Sequence, residues 1–176
     1  MASLMPLLIP IAESHLEDVQ RYASDPRISA MSYVPDPYPA DGAIRWYEHV
    51  LDRIAKGKAM VFAVTENQVF RGVLSINDIN RELGRANLDY WVAAPFHGQG
   101  IATSAVGIVK EYARVELKLK ALLCHCLVAN VGSAQVLQRN GFVERGQMVI
   151  TEGKFEGKSL RRFSCHLAIS GPGANV

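Results

Sequence analysis

Phe96-His97-Gly98-Gln99-Gly100-Ile101-Ala102-Thr103-Ser104 is the stretch on which the reading of this chain turns. It follows a strand-like run, 87–92, and opens a helical run from Ile101 to about Leu117. Two glycines remove the Cβ atoms that would hold a ligand away from the main chain. The first turn of a helix leaves backbone N–H groups unpaired and carries the positive end of the helix dipole. Strand, glycine turn and helix N-terminus together predict a phosphate cradle. An ordinary strand-to-helix turn would use the same residues.

Two familiar phosphate loops do not fit. A P-loop ends in Gly-Lys-Ser/Thr, and here Gly100 is followed by Ile101. A dinucleotide fingerprint needs a third glycine where this chain has Thr103. The remaining spacing is residue-x-x-Gly-x-Ala, from His97 to Ala102.

Upstream, 7–11 reads as a first strand. Ser14 is placed to cap a helix over 15–23, with Glu17 completing a capping box. Asp25-Pro26 then breaks the helix, and Pro35, Pro37 and Pro39 exclude regular helix from 32–40. Asp41 is placed to cap a second helix whose inner face is Ile44, Tyr47, Val50, Leu51 and Ile54. Lys56-Gly57-Lys58 ends it. The runs 60–65 and 69–76 flank Glu66-Asn67-Gln68 as a hairpin, 77–84 is polar turn, and 85–92 is the next strand.

Downstream, Ile101, Ala105, Ile108, Val109 and Tyr112 share one helix face. The run 119–128 is a strand, and Asn130 caps a short helix that Gly141 ends. The runs 142–150 and 159–169 are the last two strands, joined by a turn carrying Glu152. The tail 171–176 is expected to be flexible. The order is one of a single domain over 1–170: strand, two helices, three strands, helix, strand, helix, two strands.

The chain has 176 residues, 49% of them hydrophobic and 20% charged. That is ordinary for a soluble α+β domain with a sizeable core. A formal charge of +2 gives no reason to expect nucleic acid as a partner. No apolar run approaches the ~20 residues that span a bilayer, so no membrane partner is expected. Residues 1–10 lack a basic leader region and are interrupted by Pro6 and Pro10, which suits an edge strand. Cys124, Cys126 and Cys165 lie in strand-like runs and read as reduced thiols, consistent with a cytoplasmic protein. Cys124-His125-Cys126 does not suit a metal, because alternation puts His125 on the opposite face from the two thiols. His15 and His166 have no sequence neighbours that give them a role.

The loop from His97 to Ala102 resembles the acetyl-CoA pyrophosphate loop of the GNAT N-acetyltransferases, whose first position is usually Arg or Gln; His97 is a departure. Asn130-Val131-Gly132-Ser133 followed by Gly141-Phe142 resembles the Asn-x-x-Ser…Gly-Phe signature of the RimJ/RimL-like branch, the ribosomal-protein N-terminal acetyltransferases. Tyr90-Trp91-Val92 is similar to that branch as well. The resemblance runs from Leu7 to Ile169. It implies a GNAT fold: a mixed, mostly antiparallel seven-stranded sheet with about four helices, in which the strands flanking the loop and its helix run parallel and splay apart. Acetyl-CoA is the implied co-substrate, with no metal.

The resemblance further implies direct attack of an amine on the thioester. Cofactor contacts would come from Trp91, Val92, His97, Gly98, Gln99, Gly100, Ile101, Ala102, Thr103, Asn130, Ser133 and Arg139. Backbone N–H groups near Trp91 and Val92 would polarise the acetyl carbonyl. Ser133 would protonate the leaving thiolate, although a serine there can equally cap backbone donors. Asn130 would hold the pantetheine amides while capping its helix. Glu152 is the implied base for the amine, with Glu156 close by and Asp89 as the alternative carboxylate; Asp89 could also pair with a basic side chain. Tyr33, Tyr38 and Trp46 would wall the acceptor site, though Trp46 suits a core position too. Arg139 fits either a CoA phosphate or a surface charge.

Two function classes follow. One is an acetyl-CoA-dependent N-acetyltransferase acting on a protein N-terminal amine or on a small amine such as an amino acid, polyamine or antibiotic. The other is a non-catalytic acyl-CoA-binding module. Neither implies an oligomeric state.

Overall fold

The structure, a computed structural model, describes residues 6–168. Its centre is a seven-stranded sheet in the order β1-β2-β3-β4-β5-β7-β6. The strands are β1 (Leu7–Pro10), β2 (Met60–Glu66), β3 (Val69–Asn80), β4 (Arg85–Val92), β5 (Ala121–Leu127), β6 (Val143–Val149) and β7 (Ser159–His166). All neighbours are antiparallel except β4 and β5. Helices α1 (Leu16–Ala23), α2 (Pro26–Ser29) and α3 (Gly42–Ala55) precede β2. Helix α4 (Ile101–Val115) joins β4 to β5, and α5 (Val131–Arg139) joins β5 to β6. The expected mixed, mostly antiparallel sheet is present, with five helices in place of about four. The extra one is α2: Asp25-Pro26 does not merely break α1 but starts a new helix. Pro26 needs no N–H at the first helical position, and the Asp25 carboxylate accepts from the Arg27 N–H at 2.9 Å.

Both sheet faces are covered, which is why β2 reads as unbroken apolar sequence instead of alternating. Phe62 and Val64 join Leu74, Ile76, Leu88, Val109 and Leu122 under α4 and α5. Val61 and Ala63 join Val19, Val50, Phe70 and Val73 under α1 and α3. Each fully buried Leu or Phe contributes roughly 1.5–3 kcal/mol. The Asn67-Gln68 turn has both residues at positive φ, the geometry that keeps a two-residue hairpin twisted with its strands.

Several local expectations give way to longer-range contacts. Ser14 does not cap α1. A 3-10 turn over Glu13–His15 leads into the helix, and the His15 Nδ1 accepts from the Ala12 N–H at 3.0 Å. Asp41 precedes α3, but its side chain makes no cap; Gln20 of α1 reaches over and its Oε1 accepts from the Ala43 N–H at 3.0 Å. Ile44 and Leu51 are 56% and 45% exposed, whereas Tyr47, Val50 and Ile54 face inward as read, joined by Ala43 and Trp46. β3 runs past Ile76 to Asn80 with a register shift after Asn77, where polar turn was expected. Leu7–Pro10 is an edge strand as read; residues 1–5 and the tail 171–176 lie outside the described residues.

Candidate active site

β4 and β5 pair at three registers, Arg85↔Ala121, Ala86↔Leu122 and Asn87↔Leu123, and then separate. β4 continues along β3 to Val92, and β5 continues along β7 to Leu127. A V-shaped gap therefore opens between 88–92 and 124–127, as the splay expected from the sequence requires. The Ala93 N–H donates to the Arg71 carbonyl at 2.7 Å, so alternation sends the N–H groups of Trp91 and Asp89 into the β3 ladder. Those of Tyr90 and Val92 face the gap. Trp91 is thus corrected as a backbone donor to the gap, and Val92 takes that place.

The Val92 carbonyl also faces the gap side and is engaged by the His97 Nε2 at 2.6 Å. A carbonyl only accepts, so Nε2 carries the hydrogen. His97 therefore anchors the glycine loop to the end of β4. Gly98 and Gly100 have φ of +75° and +76°, and a Cβ on either would meet no atom within 4 Å. Gly100 starts α4 without a side-chain cap, leaving the first-turn N–H groups of Ile101, Ala102 and Thr103 directed toward that open side. Gln99 is exposed beside them. A pyrophosphate fits this cradle by charge and by room. Arg139 is exposed at the end of α5 with no ion pair among the described residues.

Across the gap, Asn130 starts α5 and its Oδ1 accepts from the Ser133 N–H at 3.1 Å. The Ser133 hydroxyl is therefore free of capping duty. It lies 2.8 Å from the Tyr90 hydroxyl, which reaches over from β4. Burial raises the Tyr90 phenol far above its ordinary range, so it stays protonated. In the sequence, Tyr90 stands out only through the similarity of Tyr90-Trp91-Val92 to the RimJ/RimL-like branch. The usable signal was its parity on β4, which points it to the α5 face with Leu88 and Val92. Cys124 and Cys126 share that face and are buried, while His125 points away and is exposed. Burial raises both thiols, Cys124 strongly. Among the described residues no group of three or more His, Cys, Asp or Glu side chains is placed to hold a metal.

On the other sheet face lies a cavity of about 930 Å³ under α3 and the 31–39 segment, reaching Asn130 and Ser133 through the gap. Tyr33, Tyr38 and Trp46 all line it. Tyr33 packs edge-on to Phe155 at 5.2 Å, and Trp46 also belongs to the core under α3. Asp89 stands on the cavity floor. The surrounding protein raises its carboxyl above the usual range, and the Asn77 amide, donating at 2.8 Å, works against that shift. Glu152 and Glu156 are exposed in the β6–β7 turn and do not line the cavity. That turn is held by Lys154, whose ammonium donates to the carbonyls of Ser29, Ser32 and Val34.

Known proteins share this fold. The acetyltransferase (GNAT) domain family matches residues 7–143. The ribosomal-protein-serine acetyltransferase of Escherichia coli is 33% identical over 92 residues, 52% of this chain and 51% of that protein. The matches to three curated relatives span 42%, 66% and 51% of those proteins' lengths. Among solved structures, RimL, the ribosomal L7/L12 α-N-protein acetyltransferase in complex with coenzyme A, superposes with a TM-score of 0.84 at 21% identity, covering 97% of this chain and 98% of that one. The spermidine N-acetyltransferase of Vibrio cholerae, in complex with CoA and spermine, gives 0.81 at 19% identity, covering 93% and 96%.

Proposed function

Because the chain belongs to the GNAT acetyltransferase family, we propose that it transfers an acetyl group from acetyl-CoA to an amine, foremost a protein N-terminal α-amine. The observation that carries this is the gap beyond the three β4–β5 pairs, with the Tyr90–Ser133 hydroxyl pair on one face and Asp89 on the other. Acetyl-CoA supplies the thioester. The α4 N-terminus with Gly98 and Gly100 would hold its pyrophosphate, and the backbone edge at Tyr90 and Val92 would pair with its amide arm. Gln99 and Arg139 are placed for outer contacts.

Asp89, directly or through water, takes the amine proton. The raised carboxyl of Asp89 suits a base that takes an amine proton, and Asp89 lines the cavity where Glu152 does not, which favours Asp89. The amine nitrogen bonds to the carbonyl carbon, whose oxygen is held by the Val92 N–H. The C–S bond breaks, and the sulfur takes a proton through the Ser133 hydroxyl, which Tyr90 holds in place; solvent returns that proton to the hydroxyl pair as the thiol leaves. Tyr33, Tyr38 and Trp46 would hold the acceptor.

The α-amine reading is supported by the ribosomal-protein relative and the RimL fold likeness. A small-amine acceptor is the second reading, supported by the comparable fold likeness to a spermidine enzyme. The test is thiol release from acetyl-CoA with peptides beginning in Ala, Ser or Met, with polyamines and with aminoglycosides, each against an enzyme-free blank. Turnover on peptides supports the first reading, and turnover on polyamines alone the second. Acetyl-CoA binding without turnover on any acceptor would leave a non-catalytic acyl-CoA-binding module.

A further inference from the structure

Helix α3 presents a basic face to the acceptor cavity. Arg45, His49 and Arg53 recur at intervals of four, which stacks them on one side of the helix, and all three line the cavity. Their acidic helix neighbours do not line it: Glu48 is exposed and Asp52 is bonded to Lys56 at 2.7 Å. Asp89 is the one carboxylate among the described lining residues, and His125 adds another basic side chain. Asp89 is already engaged by Asn77. The lining therefore sets two arginines against one carboxylate.

The three basic groups are not equally committed. Arg53 is bonded to Asp78 at 2.8 Å, and both charges reach Asp89 at that end of the cavity, where Asp78 raises its carboxyl and Arg53 lowers it. Arg45 has one distant partner, Asp41 at 3.9 Å, and both side chains are largely exposed (70% and 61%), so the pair is weak. His49 makes no hydrogen bond or ion pair among the described residues. At 1.5 Å rise per residue, His49 lies about 6 Å and Arg45 about 12 Å along the helix from Arg53. An extended peptide advances roughly 3.3–3.6 Å per residue. With its amine at Asp89 and its chain running along α3, such a peptide passes His49 near its third residue and Arg45 near its fourth or fifth.

We propose that the acceptor carries a carboxylate near its amine, and that Arg45 and His49 receive it; for a protein N-terminus, this means an acidic residue at the third to fifth position. The inference rests on the acetyltransferase reading and selects within it. Two sources share the chemistry: an acidic side chain of a peptide, and the carboxylates of a free amino acid. A polycation such as spermidine meets the wrong charge on this wall.

The experiment compares kcat/KM for Ser-Ala-Glu-Asp-Ala-Ala, Ser-Ala-Gln-Asn-Ala-Ala and Ser-Ala-Arg-Arg-Ala-Ala, with free glutamate and spermidine alongside. It is run with the wild type and an Arg45→Glu/His49→Glu double variant, with acetyl-CoA affinity as the check on folding. The wild type should prefer the acidic peptide over the basic one by about tenfold or more, the size expected of two partly exposed ion pairs acting together. The double variant should lose or invert that order at unchanged acetyl-CoA affinity, and an Arg45→Lys variant should keep it. Equal rates on the three peptides would overturn the inference and leave the N-terminal reading standing. Turnover of glutamate with no peptide would do the reverse. Preference for spermidine, or turnover of nothing, would overturn both.

Discussion

Lys154 and Val34, 120 residues apart in the chain, are joined by a hydrogen bond of 2.6 Å from ammonium to backbone carbonyl. With the bonds to Ser29 and Ser32, it ties the β6–β7 turn to the segment walling the cavity. Lys154→Met should leave three carbonyls without their cation and loosen both walls. The acceptor KM should rise roughly three- to tenfold with acetyl-CoA affinity unchanged, since hydrogen bonds to a charged group are worth about 1.5–3 kcal/mol. Steady-state kinetics with each substrate varied in turn checks this.

Asp89→Asn should lower kcat/KM by roughly a hundredfold if the carboxylate takes the amine proton. The same substitution should raise thermal stability at neutral pH. The sign follows from the raised folded-state pKa. The folded protein holds this proton more tightly than the unfolded chain, so its stabilising contribution is complete below the ordinary carboxylate pKa and is lost as pH rises through the folded value. The wild type should therefore trail the variant at pH 7 and converge with it in acid. Melting curves across pH, paired with activity, would show it; a variant less stable at neutral pH would contradict the assignment of cause.

Tyr90→Phe and Ser133→Ala should each lower kcat roughly ten- to hundredfold with little change in acetyl-CoA affinity. The double substitution should cost little more than the worse single one, because the two hydroxyls form one relay. Additive losses would separate their roles.

Gly100→Val should abolish acetyl-CoA binding while the fold persists, because the added side chain enters the open side of the loop and the residue is held at φ +76°. Gly72→Ala should instead destabilise the fold itself. A Cβ there would lie 2.2 Å from the Trp91 carbonyl oxygen, in the sheet that carries the site. Isothermal titration on the first variant and thermal melting on the second distinguish the two.

What was legible in the sequence was local. The glycine loop, the Asn130 cap and the hairpin turn are each fixed by residues a few positions apart, and the structure places them as read. The splay of β4 and β5 was legible through the family resemblance. What escaped was set by distant partners. Gln20 displaced Asp41 as the cap of α3 because α1 packs across its N-terminus. Tyr90 meets Ser133 across 43 positions, and the Lys154 tie spans more than a hundred. His97 departs from the usual residue of its loop, and only its contact with Val92 explains how it can: it acts on the protein's own backbone. Both implied carboxylates, Glu152 and Asp89, are exposed, and Asp89 is the one that lines the cavity.

Three residue pairs are the whole parallel seam between β4 and β5. Mechanically the sheet is two leaves, a four-stranded one and a three-stranded one, stitched together at one end. A molecule lying along the open end would pair with both leaves and act as the missing stitch. Occupancy and rigidity are then a single variable: stability should climb with ligand concentration as mass action dictates, and amide hydrogens at Tyr90 and Val92 should slow their exchange in step with it. Acetyl-CoA level would set how firmly the two halves of the molecule move as one body.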